Sequence, residues 1–388
     1  MNGRERILAA FKGEKTDVVP FAPNVYLWFY YHQFKGTLPP ELANAKHPLD
    51  VVRYLGGEIL ARWDTQLATH ERYTAGKFSE EYFGENLGKF VTTAFNRYPP
   101  GTDQRRRQFV TPYGTLSHLW RFTPDTGADF EADFWWKTWE DYPAIRFMVE
   151  STEYEFDADL FRKWKADAGN DGVVMVHLTE SPLKRMHWLA GPANATLFML
   201  DHPEETRVLA KIHEDKAIAL LERIVDNVDA EVFVSLDNLD SAFYPPYFYR
   251  DYCDSFFSRA ADTIHKRNKH FVVHACGRNR ALMRQVGASH VDMLEGVTPP
   301  PMGDIPLKDV RAASQYEHFV ANGGMDAPHL EIAQDAEAQI HAYTRDLFES
   351  MGDKSHFIFA TSCSTSPLTP WKNLVAFRDA AREYGEIT

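Results

Sequence analysis

Apolar residues fall along this chain in two alternating rhythms. Short unbroken runs, such as Gly172-Val-Val-Met-Val-His177, Glu231-Val-Phe-Val-Ser-Leu236, Phe271-Val-Val273, Val291-Asp-Met-Leu294 and Phe357-Ile-Phe-Ala-Thr361, predict strands. Between them lie segments whose apolar residues recur every three or four positions. The clearest is a helix of about 25 residues beginning near Pro203, with Val208, Leu209, Ile212, Leu220, Leu221, Ile224, Val225 and Val228 on one face. Asn2 to Lys12 predicts a short amphipathic helix carrying Ile7, Leu8 and Phe11, and Asp17 to Pro23 a short strand broken by prolines. Leu49 to Leu55 follows as helix and Gly57 to Trp63 as a second strand. Pro245 to Lys266 is predicted helical, Ala281 to Gly287 a short helix, Tyr316 to Gly324 a strand and turn, and Ile332 to Met351 a helix stopped by Gly352. Thr369 and Pro370 form an N-cap and first-turn pair for a last helix reaching about Gly385.

Between about 78 and 136 the pattern changes. Phe90 to Phe95 and Gln108 to Trp120 are rich in β-branched and aromatic residues separated by Pro-Pro-Gly and Tyr-Gly turns. This predicts an antiparallel β excursion inserted into the α/β alternation. Eight strand candidates, mostly followed by helices, lead to the expectation of one (β/α)8 TIM barrel over residues 1–388, with an open parallel sheet as the alternative. Thr298-Pro-Pro-Pro-Met-Gly-Asp304 must be an extended loop, because each proline fixes φ and biases its predecessor away from helix.

Composition narrows the function. A formal charge of −13 argues against nucleic acid or an anionic membrane as partner, and Arg105-Arg106-Arg107 is the one tight basic run. No window approaches the length of apolar sequence needed to span a bilayer, and the start Met-Asn-Gly-Arg-Glu-Arg lacks the apolar core of a signal peptide. With 3 Cys in 388 residues, a reducing, cytoplasmic setting is expected, with thiols serving a metal or catalysis rather than a disulfide framework. Cys253, inside a helical run, is assigned to packing.

The candidate chemistry lies at strand ends. Alternate side chains of a strand share a face, so His274 and Cys276 point the same way. Glu295 and Cys363 end two other strands. Imidazole, two thiolates and a carboxylate suit tetrahedral zinc. The alternative is a core histidine and two small buried cysteines. Asp237, Asn238 and Asp240 close the Glu231 strand, and His177 closes the Gly172 strand. The aromatic run Tyr26-Leu-Trp-Phe-Tyr-Tyr-His32 offers Tyr26, Trp28 and Tyr30 either as walls of an apolar pocket or as helix packing.

On Gly3-Arg-Glu-Arg-Ile-Leu-Ala-Ala-Phe-Lys-Gly13 with Asp17-Val-Val-Pro20, His274-Ala-Cys-Gly277, and Ala360-Thr-Ser-Cys363 with Thr369-Pro370 and Asn373, the chain resembles the uroporphyrinogen decarboxylase superfamily and, within it, the corrinoid-linked methyltransferases. Porphyrinogen decarboxylases hold substrate carboxylates with an arginine-rich segment after the first strand. Asn24 to Tyr30 stands there without arginine, which argues against that activity. The methyltransferase branch implies zinc on His274, Cys276, Glu295 and Cys363. The run Glu295 to Asp304 and the Tyr26 to Tyr31 cluster are most similar to the aryl methyl ether O-demethylases.

That resemblance implies methyl transfer from an aromatic ether to the Co(I) corrinoid of a separate protein, because no cobalamin-binding Asp-x-His-x-x-Gly motif is present. Asp237, Asp240 and His177 are then the candidate proton donors, Asn238 a substrate contact and a homodimer an admissible assembly. Two other functions stay open: methyl transfer from a methylcorrinoid to a zinc-held thiol or to folate, and a metal-free lyase using Asp237, Glu295 and His274.

Overall fold

The computed structural model describes residues 1–62, 68–85, 88, 90–93 and 96–387. Six strands lie side by side in sequence order, each parallel to the next: Val176–His177, Val232–Leu239, His270–Ala275, Met293–Val297, Val320–Met325 and Phe357–Thr361. Ile59–Ala61 pairs in parallel with Gly172–Val174. The latter runs on through Met175, whose N–H donates to the Ala61 carbonyl at 2.8 Å. At the other edge Phe21 forms a parallel bridge to Phe359, and the Glu58 N–H donates to the Phe21 carbonyl at 2.7 Å. The strand expected over Asp17 to Pro23 is therefore reduced to isolated bridges, since Pro20 and Pro23 have no N–H to donate. Trp63, at the end of the expected second strand, lies outside the described residues.

The unbroken apolar runs reflect burial on both faces of these strands. On one face Ala22, Val173, Met175, Val232, Val234, Val272, Met293, Val320 and Ile358 pack into a single cluster, with Leu60 against it. Ile7, Ala10 and Phe11 of the first helix, Gly3–Lys12, join the same cluster. That helix is held by a capping box in which Asn2 and Glu5 satisfy each other's backbone N–H groups. On the other face Phe233, Phe271, Val273, Leu294, Phe357 and Phe359 pack with the apolar stripes of the helices.

Four antiparallel strands, Lys77–Phe83, Gln104–Thr111, Gly114–Thr123 and Ala128–Asp133, form a separate sheet between the Ile59 and Gly172 strands in sequence. The helix expected over Pro245 to Lys266 is two, Pro246–Tyr252 and Asp254–His265, parted at Cys253. The helix expected from Ile332 begins at Ala336, and Pro370 is the extended N-cap of Trp371–Tyr384 rather than its first residue. Three helices of ten or more residues were not anticipated: Tyr142–Ser151, Ala158–Ala168 and Pro182–Asp201. The last is hidden by the Gly191-Pro192 pair, where Gly191 leaves helical geometry at φ 74° and bends the axis. Among the described residues no helix is long and apolar enough to cross a membrane.

Gly172 is required where it stands. A Cβ there would lie 1.9 Å from the Ile59 carbonyl oxygen, inside the pairing that sets the Ile59 strand. Gly172→Val is expected to lower unfolding free energy by about 1–3 kcal/mol, the ordinary effect of overpacking. Urea denaturation of the two proteins measures it.

Candidate metal centre

The inward-facing register continues past the apolar cluster and turns polar. Two residues beyond Leu60, Met175, Val272 and Met293 stand Arg62, His177, His274 and Glu295. Asn24 and Asn322 stand in the same relation to Ala22 and Val320. Because side chains alternate with period two, these residues form the next layer towards the carboxyl ends of the strands. Asn322 is structural there, its Oδ1 accepting the Gly296 N–H at 2.9 Å.

His274 is the centre of this layer, 2% exposed. Its Nδ1 is hydrogen bonded to Glu295 Oε2, and its Nε2 lies 3.8 Å from Cys363 Sγ. Glu295 Oε2 also pairs with Arg62 Nε at 2.9 Å. Burial alone would raise the Glu295 carboxyl, but Arg62 and His274 together outweigh it and hold it at about 2. Burial and Arg62 disfavour the imidazolium. Glu295 and Cys363 overcome both and move His274 upwards.

One ligand atom each from His274, Cys276 and Cys363 lies within 4.8 Å of the others. The Cys276 thiol donates to Cys363, which raises Cys276 and leaves Cys363 well below the usual thiol range, with His274 and Arg62 adding to the effect. The electrostatics of the centre thus favour the thiolate form at Cys363 and the protonated forms at Cys276 and His274. Glu295 departs from the expected fourth ligand position. Its near oxygen is committed to the opposite ring nitrogen and to Arg62, so in this structure it orients the imidazole.

Asp237 is fully buried. Both its oxygens are taken, one by Ser181 and the other by Ser235 Oγ at 2.6 Å, and burial raises it to about 6. His177 is lowered to about 4 by burial, so at neutral pH it is a neutral imidazole rather than the acid expected; its Nδ1 has no partner among the described residues. Asp240 packs against Gly277, beside Cys276, but its carboxylate serves a local turn, accepting the Ala242 N–H at 2.8 Å and lying 3.6 Å from Arg278. Asn238 is exposed, with φ 55°, in the irregular stretch between Ser235 and Leu239.

The aromatic run corrects the pocket-wall expectation. It forms the helix Tyr26–Lys35, with Tyr26 and Trp28 almost wholly buried. The Tyr26 hydroxyl donates to the Thr93 carbonyl at 3.1 Å and Trp28 Nε1 to that of Thr369 at 2.9 Å. Tyr30, part-buried, packs edge-on to Tyr26 at 4.8 Å. Polar tips spent on backbone carbonyls make these packing residues. Arg62 is the site residue that pattern reading missed. Its signal was a cation two places after a core leucine in an apolar strand.

A family model described as uroporphyrinogen decarboxylase matches residues 122–384, more than half of the chain. The chain belongs to the uroporphyrinogen decarboxylase family. Within it, this member has the fold of a solved methyltransferase from Methanosarcina mazei, with a TM-score of 0.61, 99% of each chain covered and 16% identity. No curated protein sequence matches it.

Glu295→Gln in this family member removes the carboxylate paired with the buried Arg62 and is expected to destabilise the metal-free protein by about 3–5 kcal/mol. Glu295 is held below its ordinary value of 4.5, so the stability it contributes is full above about pH 4.5 and is lost as pH falls towards about 2. The gap between wild type and variant should therefore be flat from neutrality down to that point and then shrink. Denaturant titrations at a series of pH values measure it.

Proposed function

We propose that this protein is a methyltransferase that takes a methyl group from an aromatic methyl ether and passes it to the Co(I) corrinoid of a separate protein. The observation that carries this reading is the His274, Cys276 and Cys363 donor set, gathered within 4.8 Å at the carboxyl ends of parallel strands. Ligands on a tetrahedral zinc at bond lengths of about 2.0–2.3 Å stand roughly 3.5 Å apart, so a small contraction suffices. The thiolate form of Cys363 is favoured, and nitrogen with sulfur favours zinc over magnesium or calcium. With Glu295 turned to the imidazole, three protein ligands remain, the number found where a fourth position serves a substrate. The family match and the likeness to a methyltransferase structure support the same reading.

The architecture that best fits the contacts is a closed (β/α)8 barrel. Phe359 pairs with Phe21, Phe21 with Glu58, and the Ile59 strand with the Gly172 strand, which links the two edges of the six-stranded sheet. Sites in such barrels sit at the carboxyl ends of the strands.

Methyl transfer breaks the bond between the methyl carbon and the ether oxygen and leaves both bonding electrons on that oxygen. A bound zinc would supply Lewis-acid stabilisation of this charge, roughly several kcal/mol. The protein's residues do the rest. Glu295 fixes the imidazole so that Nε2 faces the sulfur atoms. Arg62 keeps Glu295 ionised in a buried setting. His177, neutral and with its Nδ1 unpartnered among the described residues, would offer that nitrogen to a substrate oxygen. A phenolic leaving group, with a pKa near 10 by analogy with tyrosine, departs without a strong acid.

Protein purified without chelator is expected to contain stoichiometric zinc, measured by elemental analysis. Cys363→Ser and Cys276→Ser should lose it, and Asp240→Asn should keep it. Because Cys276 and His274 Nε2 must give up protons to a metal, zinc affinity should rise with pH. With a reduced corrinoid protein, wild type should release phenol from a methoxyarene. Methyl transfer from methylcobalamin to a thiol in place of that reaction would overturn the donor-side assignment.

A further inference from the structure

Ser181 caps the Pro182–Asp201 helix and is hydrogen bonded to Asp237, which pins the first turn of this helix to the end of the Val232 strand. Lys184 and Trp188, one turn apart, share a face, and the Lys184 ammonium lies 4.7 Å from the Trp188 ring centroid. Trp188 in turn meets Trp120 of the antiparallel sheet at 5.8 Å. The ammonium therefore stands at the seam between the helix and the sheet, part-exposed, and among the described residues it makes no hydrogen bond or ion pair.

The acidic groups around it are Asp237, Glu131, Glu180 and Cys276. Among the described residues none of them forms an ion pair with it. Both oxygens of Asp237 are held by serines, and Glu180 Oε1 lies 3.4 Å from Arg185 Nη1. Glu131 is raised by burial to about 8 and is hydrogen bonded to His118 at 2.7 Å. A second, independent sign comes from His187, on the next turn beside Lys184. It is 5% exposed, packs edge-on to Tyr244 at 5.4 Å, and its Nε2 has no partner among the described residues. Burial, with Lys184 nearby, keeps this imidazole neutral. A cation without an ion-pair partner among the described residues, a neutral ring nitrogen and two indoles together suit a single negative charge on a planar apolar body.

We propose that Lys184 and His187, with the rings of Trp188 and Trp120, bind the carboxylate of an aromatic substrate. This deepens the proposed function, on which it rests for identifying the carboxylated ring as the methyl donor; the anion anchor itself is testable by binding alone.

Calorimetric titration of the whole protein with benzoate, and with its neutral isostere benzamide, reads the anchor without any turnover. Wild type should bind benzoate at least about tenfold more tightly, the ordinary worth of a charge-assisted hydrogen bond. Lys184→Met should reduce benzoate to the benzamide level and leave benzamide unchanged, and Lys184→Arg should keep the preference. Equal affinity of wild type for the two probes overturns the proposal, whether or not the variants fold. Unchanged benzoate binding in a folded Lys184→Met, checked by its melting temperature, overturns it as well. Benzoate binding that depends on Lys184, together with no demethylation of methoxybenzoate, would sustain the anchor and remove the methyl-transfer reading.

Discussion

A buried cation holding a buried anion is the interaction on which this centre depends. Arg62 and Glu295 would each be costly inside a protein alone, and each is tolerable because the other is there. Their pairing gives a fixed negative group at a depth where water could not hold one. His274 is then locked by one nitrogen, and its other nitrogen is delivered to the two sulfur atoms. The ends of four strands contribute to this arrangement, the fourth being Phe357–Thr361, which delivers Cys363. It exists only if the Ile59, His270 and Met293 strands keep their register.

Much of this order could be read from residue types. The two-residue rhythm placed His274 and Cys276 on one face, and the apolar runs marked the strands that bear them. Glu295 was recognised as a strand-end group, but its partner was not, because charge pairing between Arg62 and Glu295 is a property of neighbours in space. Once Leu60, Met175, Val272 and Met293 are known to share one cluster, the residue two places on from each falls into one layer. Counting forward from core positions would have found Arg62. Tyr26 and Trp28 show the converse limit. Aromatic density is the same in a pocket wall and in a packed helix, and only the partners of the hydroxyl and indole N–H tell them apart.

The antiparallel sheet was expected from its β-branched strands and turns. Its relation to the centre was not, because the contact is made through Pro182–Asp201, a helix concealed by its own Gly-Pro bend. That helix carries Lys184, His187 and Trp188, and Trp120 meets it from the sheet. The sheet is thus connected to the chemistry by side-chain packing rather than by strand pairing, a kind of link that local sequence patterns do not encode.

The sulfur of Cys363 stands beside His274 across 89 positions of sequence. A chain made from its amino terminus cannot bring these two atoms together until the 89 positions that separate them have also been made. Loading of the proposed zinc would consequently wait for the docking of the Phe357–Thr361 strand beside Phe21. During synthesis His274 and Cys276 are available without their third companion, and a pair of donors holds an ion far less firmly than the completed set.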